Sequence, residues 1–220
     1  MQQKTHYRIV TLGLKGGTGK STTAWHLAHI FGPLHPTIIV DADNLRSCLN
    51  WQAIAEALDH PIPFQVVSET GYEDYIAEHG VPTYRILDTQ ASIPAQKLGE
   101  ILRRPRQFYV LPLRPDVSNV AAVAALARDI RELTPEQPPH YAALITHRLA
   151  QAQVSNAEDT QAALRRAGIP VFEAMIRQTK KFSDASDAGL HVGKYGDKAA
   201  QSAWKEYQAV AAQIMEDMKS

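Results

Sequence analysis

The sequence has almost no cysteine and no long apolar segment. Cys48 is the only cysteine among 220 residues, so one chain cannot close an internal disulfide or supply a four-thiolate zinc or iron–sulfur site. No apolar run approaches the ~20 residues that a membrane-spanning helix needs, and we see no secretory signal in the first residues. We therefore expect a reducing, cytoplasmic environment.

The chain also lacks net charge, because 23 basic residues balance 23 acidic residues. This balance excludes a protein that coats nucleic acid by being basic overall. The charge is unevenly spread, since residues 91–150 contain eight basic and five acidic residues, which leaves a local basic patch open. The length predicts one domain over residues 1–220, and the proline-rich stretch 135–140 is too short to be a domain linker.

Short apolar strands alternate with helical segments along the chain. The predicted strands lie at Tyr7–Gly13, Thr37–Val40, Phe64–Val67, Arg85–Leu87, Phe108–Leu111, Tyr141–Ile145 and Pro170–Phe172. The predicted helices lie at Ser21–Phe31, Leu49–Leu58, Tyr72–His79, Val117–Leu133, Asn156–Ala167 and Ala199–Met218. Strands separated by helices predict an α/β fold, with a mostly parallel, twisted sheet and helices on both faces.

A glycine-rich stretch, LKGGTGKST, joins the first predicted strand to the first predicted helix. The backbone N–H groups of such a turn point into one concavity at the positive end of the helix, where phosphate binds. Lys20 can reach the β- and γ-phosphates, and the Ser21 hydroxyl can bind Mg²⁺. We therefore predict a single-domain P-loop NTPase with a nucleotide-binding loop made of Lys15, Gly16, Gly17, Thr18, Gly19, Lys20, Ser21 and Thr22.

The loop departs from the usual P-loop pattern, because Leu14 stands where the first glycine is expected and Lys15 follows it. KGGTGKST resembles the deviant Walker A box of the ParA/MinD ATPases. The resemblance implies that ATP lies between two subunits and that Lys15 of one subunit reaches the nucleotide of the other. A second cation near the phosphates would offset the charge that develops during phosphoryl transfer.

Two more segments resemble this family in order and spacing: TIIVDADNLRSCLNW resembles its switch I, and YRILDTQA resembles its Walker B and switch II. The resemblance implies that Asp43 activates the attacking water, that Asp41 supports the Mg²⁺ shell, and that Asp88 holds Mg²⁺ through water. An alternative is that Asp41 or Asp43 only caps the next turn. The predicted catalytic residues are thus Lys15, Lys20 and Asp43, the predicted metal site is Ser21, Asp41 and Asp88, and the cofactors are ATP and Mg²⁺.

Three features of the sequence distinguish between the kinds of protein in this superfamily. Iron-protein reductases need cysteines that bridge a cluster, and the position of Cys48 does not fit that role. A MinD-like membrane helix is rich in Lys and Arg on its polar face, whereas the last predicted helix has mixed charges, so we expect its apolar stripe to pack as core and no membrane binding. With no room for a helix-turn-helix before the first strand, the chain resembles the small, Soj-like ParA-type plasmid partition ATPases.

This resemblance implies an ATP-dependent homodimer that binds nonspecific DNA on the nucleoid. Hydrolysis, stimulated by a ParB-like or other centromere- or cargo-binding adaptor, would release it. The cargo stays open between a plasmid, a carboxysome and a chemoreceptor cluster. The alternatives are a MinD-like membrane-associated ATPase and a small-molecule P-loop enzyme such as a kinase.

Nonspecific DNA binding requires Lys and Arg side chains that contact phosphates. The preferred candidates lie in the C-terminal third of the chain, and the others form separate basic clusters. The preferred candidates are Arg177, Lys180 and Lys181. The others are Arg103, Arg104, Arg106, Arg165 and Arg166.

Overall fold

A computed structural model of the protein describes residues 6–104, 107–134, 140–149 and 154–219, with side chains from residue 156 in the last range. Six parallel strands form one sheet in the order β3-β2-β4-β1-β5-β6. The strands are β1 (Tyr7–Thr11), β2 (Thr37–Ala42), β3 (Gln65–Ser68), β4 (Tyr84–Thr89), β5 (Gln107–Leu113) and β6 (His140–Ile145). The α/β prediction of a parallel sheet is confirmed.

Helices cover both faces of this sheet, as nearly continuous apolar strands require. The helices are α1 (Lys20–Phe31), α2 (Ser47–Ala57), α3 (Tyr72–His79), α4 (Ala95–Leu102), α5 (Val117–Leu133), α6 (Val154–Arg166), α7 (Lys181–Ser186) and α8 (Lys198–Asp217). One core cluster joins α1 and α8 to the sheet, and a second joins α4, α5 and α6 to its other face. The described residues form a single α/β domain.

The position of β1 decides where a ligand can bind. From β1 the chain passes over β4 to reach β2, whereas β5 pairs with the opposite side of β1. In a parallel sheet, a crevice opens at the carboxyl edge where the loops after two adjacent strands run toward opposite sides of the sheet. The loop after β1 lies at that crevice.

Two helices, Tyr72–His79 and Val117–Leu133, match the predicted bounds. The predicted strand at Pro170–Phe172 is wrong as a sheet strand, because the segment makes only an isolated bridge, between Val171 and Ala143. Pro170 has no N–H to donate to a ladder. Its carbonyl accepts from Ala143 N, and Phe172 N donates to Ala143 O, after which the regular pairing stops.

Helix α8 confirms the prediction that its apolar stripe is core. Six residues of the helix are buried: Ala200, Ala203, Tyr207, Val210, Ala211 and Ile214. Four of them belong to the cluster shared with α1 and the sheet. Among the described residues, no helix has the length and apolar character to cross a membrane.

Candidate functional site

The loop between β1 and α1 has the backbone that glycine permits. Gly17 and Gly19 have φ of 69° and 93°, and Gly19 is the residue that precedes α1. Other residues rarely adopt these angles. A Cβ on Gly17 would also lie 3.3 Å from the Arg114 guanidinium. The sequence therefore folds this loop tightly and opens it at the N-terminus of α1.

The Lys20 side chain is buried inside this loop. It is 5 % exposed, and its Nζ donates to the carbonyl oxygen of Lys15 over 3.2 Å. Burial lowers the pKa of the Lys20 ammonium, while the charges of Asp88 and Asp43 oppose that shift. The ion pairs found among the described residues do not include Lys20. A buried cation in a glycine-rich turn at the N-terminus of a helix is an anion-binding arrangement.

Two predicted metal-site carboxylates lie side by side at the carboxyl ends of β2 and β4. Asp41 and Asp88 are register partners, and both are buried. Burial raises the pKa of Asp88 to about 7, although hydrogen bonds from the Ser21 and Thr11 side chains favour its charged form. Burial also raises the pKa of Asp41, whose two oxygens accept from the backbone N–H groups of Asp43 and Leu49 over 3.1 Å each.

The contacts of Asp88 and the donor atoms around it bear on the kind of ligand that this site can hold. The groups that touch Asp88 within hydrogen-bond distance are neutral, so no side-chain cation of the described residues forms an ion pair with it. A buried carboxylate without a paired cation is costly. Carboxylate and hydroxyl oxygens are hard donors that suit Mg²⁺, so the donor set of Ser21, Asp41 and Asp88 fits this ion.

Asp43 lies beyond the end of β2 and is only half-buried. Its Oδ1 accepts from the backbone N–H of Leu45 over 3.0 Å, which fixes the turn that follows. Its charge acts on the pKa of Lys20 and of Asp88. The structure thus brings Asp43 to the same edge as the loop while leaving it accessible.

A cavity of about 180 Å³ opens beside the helix end of the loop. Gly19 and Thr22 form one wall, and Phe182 and Tyr207 form another. The remaining lining residues come from the end of β6 and from the connection between α6 and α7. The former are Thr146 and His147, and the latter are Ile176, Arg177, Gln178 and Thr179. A wider groove between α2 and β3, of about 610 Å³, contains no residue of the phosphate loop.

The preferred DNA-contact candidates do not share one environment. Arg177 donates to Glu206 Oε1 through Nε and Nη2, over 2.9 and 2.7 Å, and lines the cavity beside the loop. Lys181 lies 3.4 Å from Asp184 and 3.7 Å from Asp197. Only Lys180 extends away, with its side chain 88 % exposed and its Nζ 3.9 Å from Asp184.

The secondary candidates are also dispersed. Arg165 pairs with Glu173 over 2.7 Å, and Arg166 lines a groove between α5 and α6. Arg103 and Arg104 are exposed after α4, and Arg106 lies outside the described residues.

Sequence reasoning missed several residues that hold the loop and its carboxylates. Thr146 Oγ1 donates to Thr18 O over 2.9 Å, and Thr11 Oγ1 donates to Asp88 Oδ1 over 3.1 Å. The Cys48 thiol lies 3.6 Å from Asp88 Oδ2. Thr11 and Thr146 were detectable in principle, since each is a polar residue at or just after the carboxyl end of an apolar strand. Nothing in the sequence places Cys48 beside Asp88.

The strand–loop–helix unit, the buried lysine and the paired carboxylates define a P-loop nucleotide-binding protein. The chain belongs to the CobQ/CobB/MinD/ParA nucleotide binding domain family, which matches residues 9–192. The predicted ParA/MinD resemblance is therefore confirmed.

The chain is similar both to a carboxysome distribution protein and to a putative plasmid partition protein. The chain is 29% identical over 213 residues to a maintenance of carboxysome distribution protein A from Gloeobacter kilaueensis, covering 96% of this chain and 95% of the relative. Its fold is similar to a Cyanothece McdA variant in complex with ATP, with a TM-score of 0.72, 14% identity, and 96% and 97% of the two chains covered. A putative plasmid partition protein from Borrelia burgdorferi bound to AMPPNP gives a TM-score of 0.71, 14% identity, and 96% and 99% coverage.

Proposed function

We propose that this protein is a Mg²⁺-dependent ATPase that dimerises around ATP and positions a cargo in the cytoplasm. The observation that carries the proposal is one loop with two lysines, Lys15 and Lys20, beside two buried carboxylates that have no side-chain ion-pair partner among the described residues. A triphosphate with its metal supplies the negative and positive charges that these groups lack.

Each part of the nucleotide has a proposed place. Residues Lys15–Thr22 would hold the phosphates, and Ser21, Asp41 and Asp88 would hold Mg²⁺. The bound ion would neutralise charge on the phosphates during transfer. The base would enter the cavity lined by Thr146, Phe182 and Tyr207, because that cavity adjoins the helix end of the loop and combines apolar and polar walls.

Asp43 would orient the water that attacks the γ-phosphate. Its carboxylate is placed by the Leu45 N–H and remains accessible, whereas Asp41 and Asp88 are buried. Accessibility matters because a water must reach a position between this carboxylate and the phosphate. Burial, in contrast, suits the two metal-site carboxylates.

A second subunit would cover the mouth of the loop. Two large apolar side chains near it are exposed, Leu45 at 76 % and Val117 at 87 %. Exposed apolar residues beside a functional site favour a partner surface. Lys15 would then reach the nucleotide of the partner subunit.

The cargo is proposed from the relatives. The Gloeobacter relative acts in carboxysome distribution, and the Borrelia structure is named as a plasmid partition protein. We favour a protein or DNA cargo positioned on the nucleoid, through an adaptor that is either ParB-like or specific to the cargo. The ATP-bound dimer would bind nonspecific DNA through exposed cations, of which Lys180 is the most accessible preferred candidate.

The decisive experiment compares Asp43→Ala and Lys15→Ala with the native protein. We expect Asp43→Ala to retain ATP-dependent dimers in size-exclusion chromatography with light scattering, but to lose hydrolysis by roughly 100-fold or more, as loss of a catalytic base does. We expect Lys15→Ala to lose hydrolysis as well. Asp74→Ala on α3 and Lys205→Ala on α8 are exposed controls that should hydrolyse ATP normally.

Unchanged hydrolysis in Asp43→Ala would remove this residue from the mechanism. Normal hydrolysis by a strictly monomeric Lys15→Ala protein would instead favour the small-molecule enzyme. For DNA, we expect binding that needs ATP, tolerates any sequence and weakens steeply with salt. Equal binding without nucleotide would contradict the switch.

A further inference from the structure

Two buried side-chain atoms that lack a hydrogen-bond partner among the described residues lie in one row of the sheet. They are Nε of Arg85, on β4, and Oε1 of Gln107, on β5. Both residues are register partners of Arg8 on β1, so the three side chains form a row across three neighbouring strands. This row lies at the amino-terminal ends of the strands, whereas the phosphate loop follows the carboxyl end of β1.

The three side chains of the row point to the face of the sheet that α4 and α5 cover. Side chains alternate between the two faces along a strand. Both chain neighbours of Arg85 belong to the core cluster on the α1 side, so Arg85 points to the other face, and its partners in register point there with it. The Arg85 Cζ lies 5.2 Å from the centre of the Tyr72 ring, which belongs to α3.

A third arginine, Arg104, lies at the rim of this row. It follows α4 and is exposed, and its carbonyl oxygen accepts from Gln107 Nε2 over 2.8 Å. Burial lowers the pKa of the Arg85 guanidinium, and the charges of Arg8 and Arg104 lower it further, whereas Tyr72 favours the charged form. The row thus collects three guanidinium groups at increasing exposure: Arg85 is 6% exposed, Arg8 is half-buried and Arg104 is exposed.

No carboxylate of the described residues pairs with these three guanidinium groups. The Tyr72 ring offers Arg85 a cation–π contact, which offsets part of the cost of burial but does not separate the like charges. Like charges on register partners destabilise a sheet, and a buried cation without an anion is costly. An anion held between the three groups would remove both costs.

We propose that Arg8, Arg85 and Arg104 form a second anion site, which binds the phosphate group of a small soluble ligand. Three guanidinium groups suit a phosphate, with about two charges and three acceptor oxygens, better than a planar carboxylate with a single charge. The recessed position of Arg85 favours a small ligand, because the backbone of a DNA duplex would meet Arg104 but not a side chain that is 6% exposed. Gln107 Oε1 would accept from a hydroxyl or amine of the same ligand. The inference does not depend on the proposed ATPase activity.

Side-chain NMR measures binding at the site itself. In protein labelled with ¹⁵N-arginine, the Arg85 Nε–H signal is assigned by its absence in Arg85→Lys. At constant ionic strength, we expect inorganic phosphate to shift this signal at lower concentration than acetate does, and to do so equally in Lys20→Met, which lacks the buried charge of the phosphate loop. Loss of the response in Lys20→Met would mean that phosphate acts through the nucleotide site, and the proposal would be wrong.

Arg8→Met weakens the site and leaves the buried guanidinium in place. We expect the phosphate concentration at half-saturation to rise by roughly 10- to 100-fold, because a hydrogen bond to a charged group is lost. Arg128→Met is the matched control, since it removes one exposed arginine charge on α5 and should leave this concentration unchanged. Equal changes in the two variants would reveal a general effect of net charge and reject the site.

The class of ligand and the unmatched charge are tested separately. A shift of the Arg85 signal by duplex DNA or acetate, with none by inorganic phosphate, would overturn the assignment of a small phosphate ligand. In chloride without phosphate, Arg8→Met should melt at the native temperature or above, because one of three like charges is gone and the aliphatic stem is kept. A clearly lower melting temperature, with Arg128→Met unchanged, would show that Arg8 is already matched inside the fold and would contradict the proposal.

Discussion

Two charged regions of this molecule differ in how their charges are matched. At the carboxyl edge of the sheet, Lys20, Asp41 and Asp88 are buried, and none of them forms an ion pair with a described residue. Around α8, Glu206 accepts from the side chains of Arg177 and Arg148 and from the Arg177 N–H.

The difference supports the proposed ligand site at the carboxyl edge. Burying an unmatched charge costs several kcal/mol, so a fold retains one where an outside group completes it. Glu206, in contrast, is paired with two guanidinium groups of the same chain, which is a scaffold role. Arg177 was predicted as a DNA contact, and its position here favours support for the wall of the cavity beside the loop.

We expect the largest effect for Lys20→Met, which keeps most of the side-chain volume and removes the charge. If Lys20 awaits phosphate, we expect ATP affinity to fall by about 100-fold or more, because hydrogen bonds to charged groups contribute about 1.5–3 kcal/mol each. Isothermal titration calorimetry with ATP and Mg²⁺ measures it. Lys180→Met is the exposed control. An equal loss of ATP affinity in both variants would contradict a special role for the buried Lys20 charge.

The next test concerns pH and Asp88. With its pKa raised to about 7 in the folded protein, Asp88 binds a proton more tightly than in the unfolded chain. Its contribution to stability is therefore complete below about pH 4 and is lost as pH rises through about 7. Without Mg²⁺, we expect Asp88→Asn to be more stable than the native protein at pH 8, on the order of 1–4 kcal/mol, and similar at pH 4.

Urea unfolding at a series of pH values measures the difference in free energy of unfolding between Asp88→Asn and the native protein. Groups that titrate alike in both proteins cancel in this difference. Mg²⁺ should stabilise the native protein at pH 8 and leave Asp88→Asn unchanged. Asp74→Asn, on the exposed face of α3, should show no pH-dependent difference. A flat difference across the series for Asp88→Asn would mean that this carboxyl is matched inside the fold after all.

We expect the smallest effect around Glu206, where the charges are paired within the chain. Glu206→Gln leaves Arg177 and Arg148 without their carboxylate, and we expect a loss of about 1–3 kcal/mol in the free energy of unfolding because Glu206 is only 14 % exposed. Glu173→Gln breaks the pair with Arg165 at 82 % exposure and should cost less than about 0.5 kcal/mol. Chemical denaturation compares them, and equal losses would contradict the scaffold role.

Much of the site was predictable because it is local. The glycines, Lys20 and Ser21 are consecutive, and backbone angles and the helix N-terminus bring them together without distant contacts. Asp41 and Asp88 were also predictable, since parallel strands place their carboxyl ends on one edge. The predicted strand at Pro170–Phe172 failed because apolar composition does not reveal whether a neighbouring strand has free backbone groups in register.

By itself, the sequence determined the strand–loop–helix unit, the parallel α/β fold and the carboxylates at its edge, because short-range geometry and hydrophobic periodicity are written in consecutive residues. Only the tertiary structure decided which charges are matched. Arg177 meets Glu206 across 29 residues, and Lys15 meets Ser118 across 103. Such pairings depend on how helices pack against the sheet, and no local pattern encodes them.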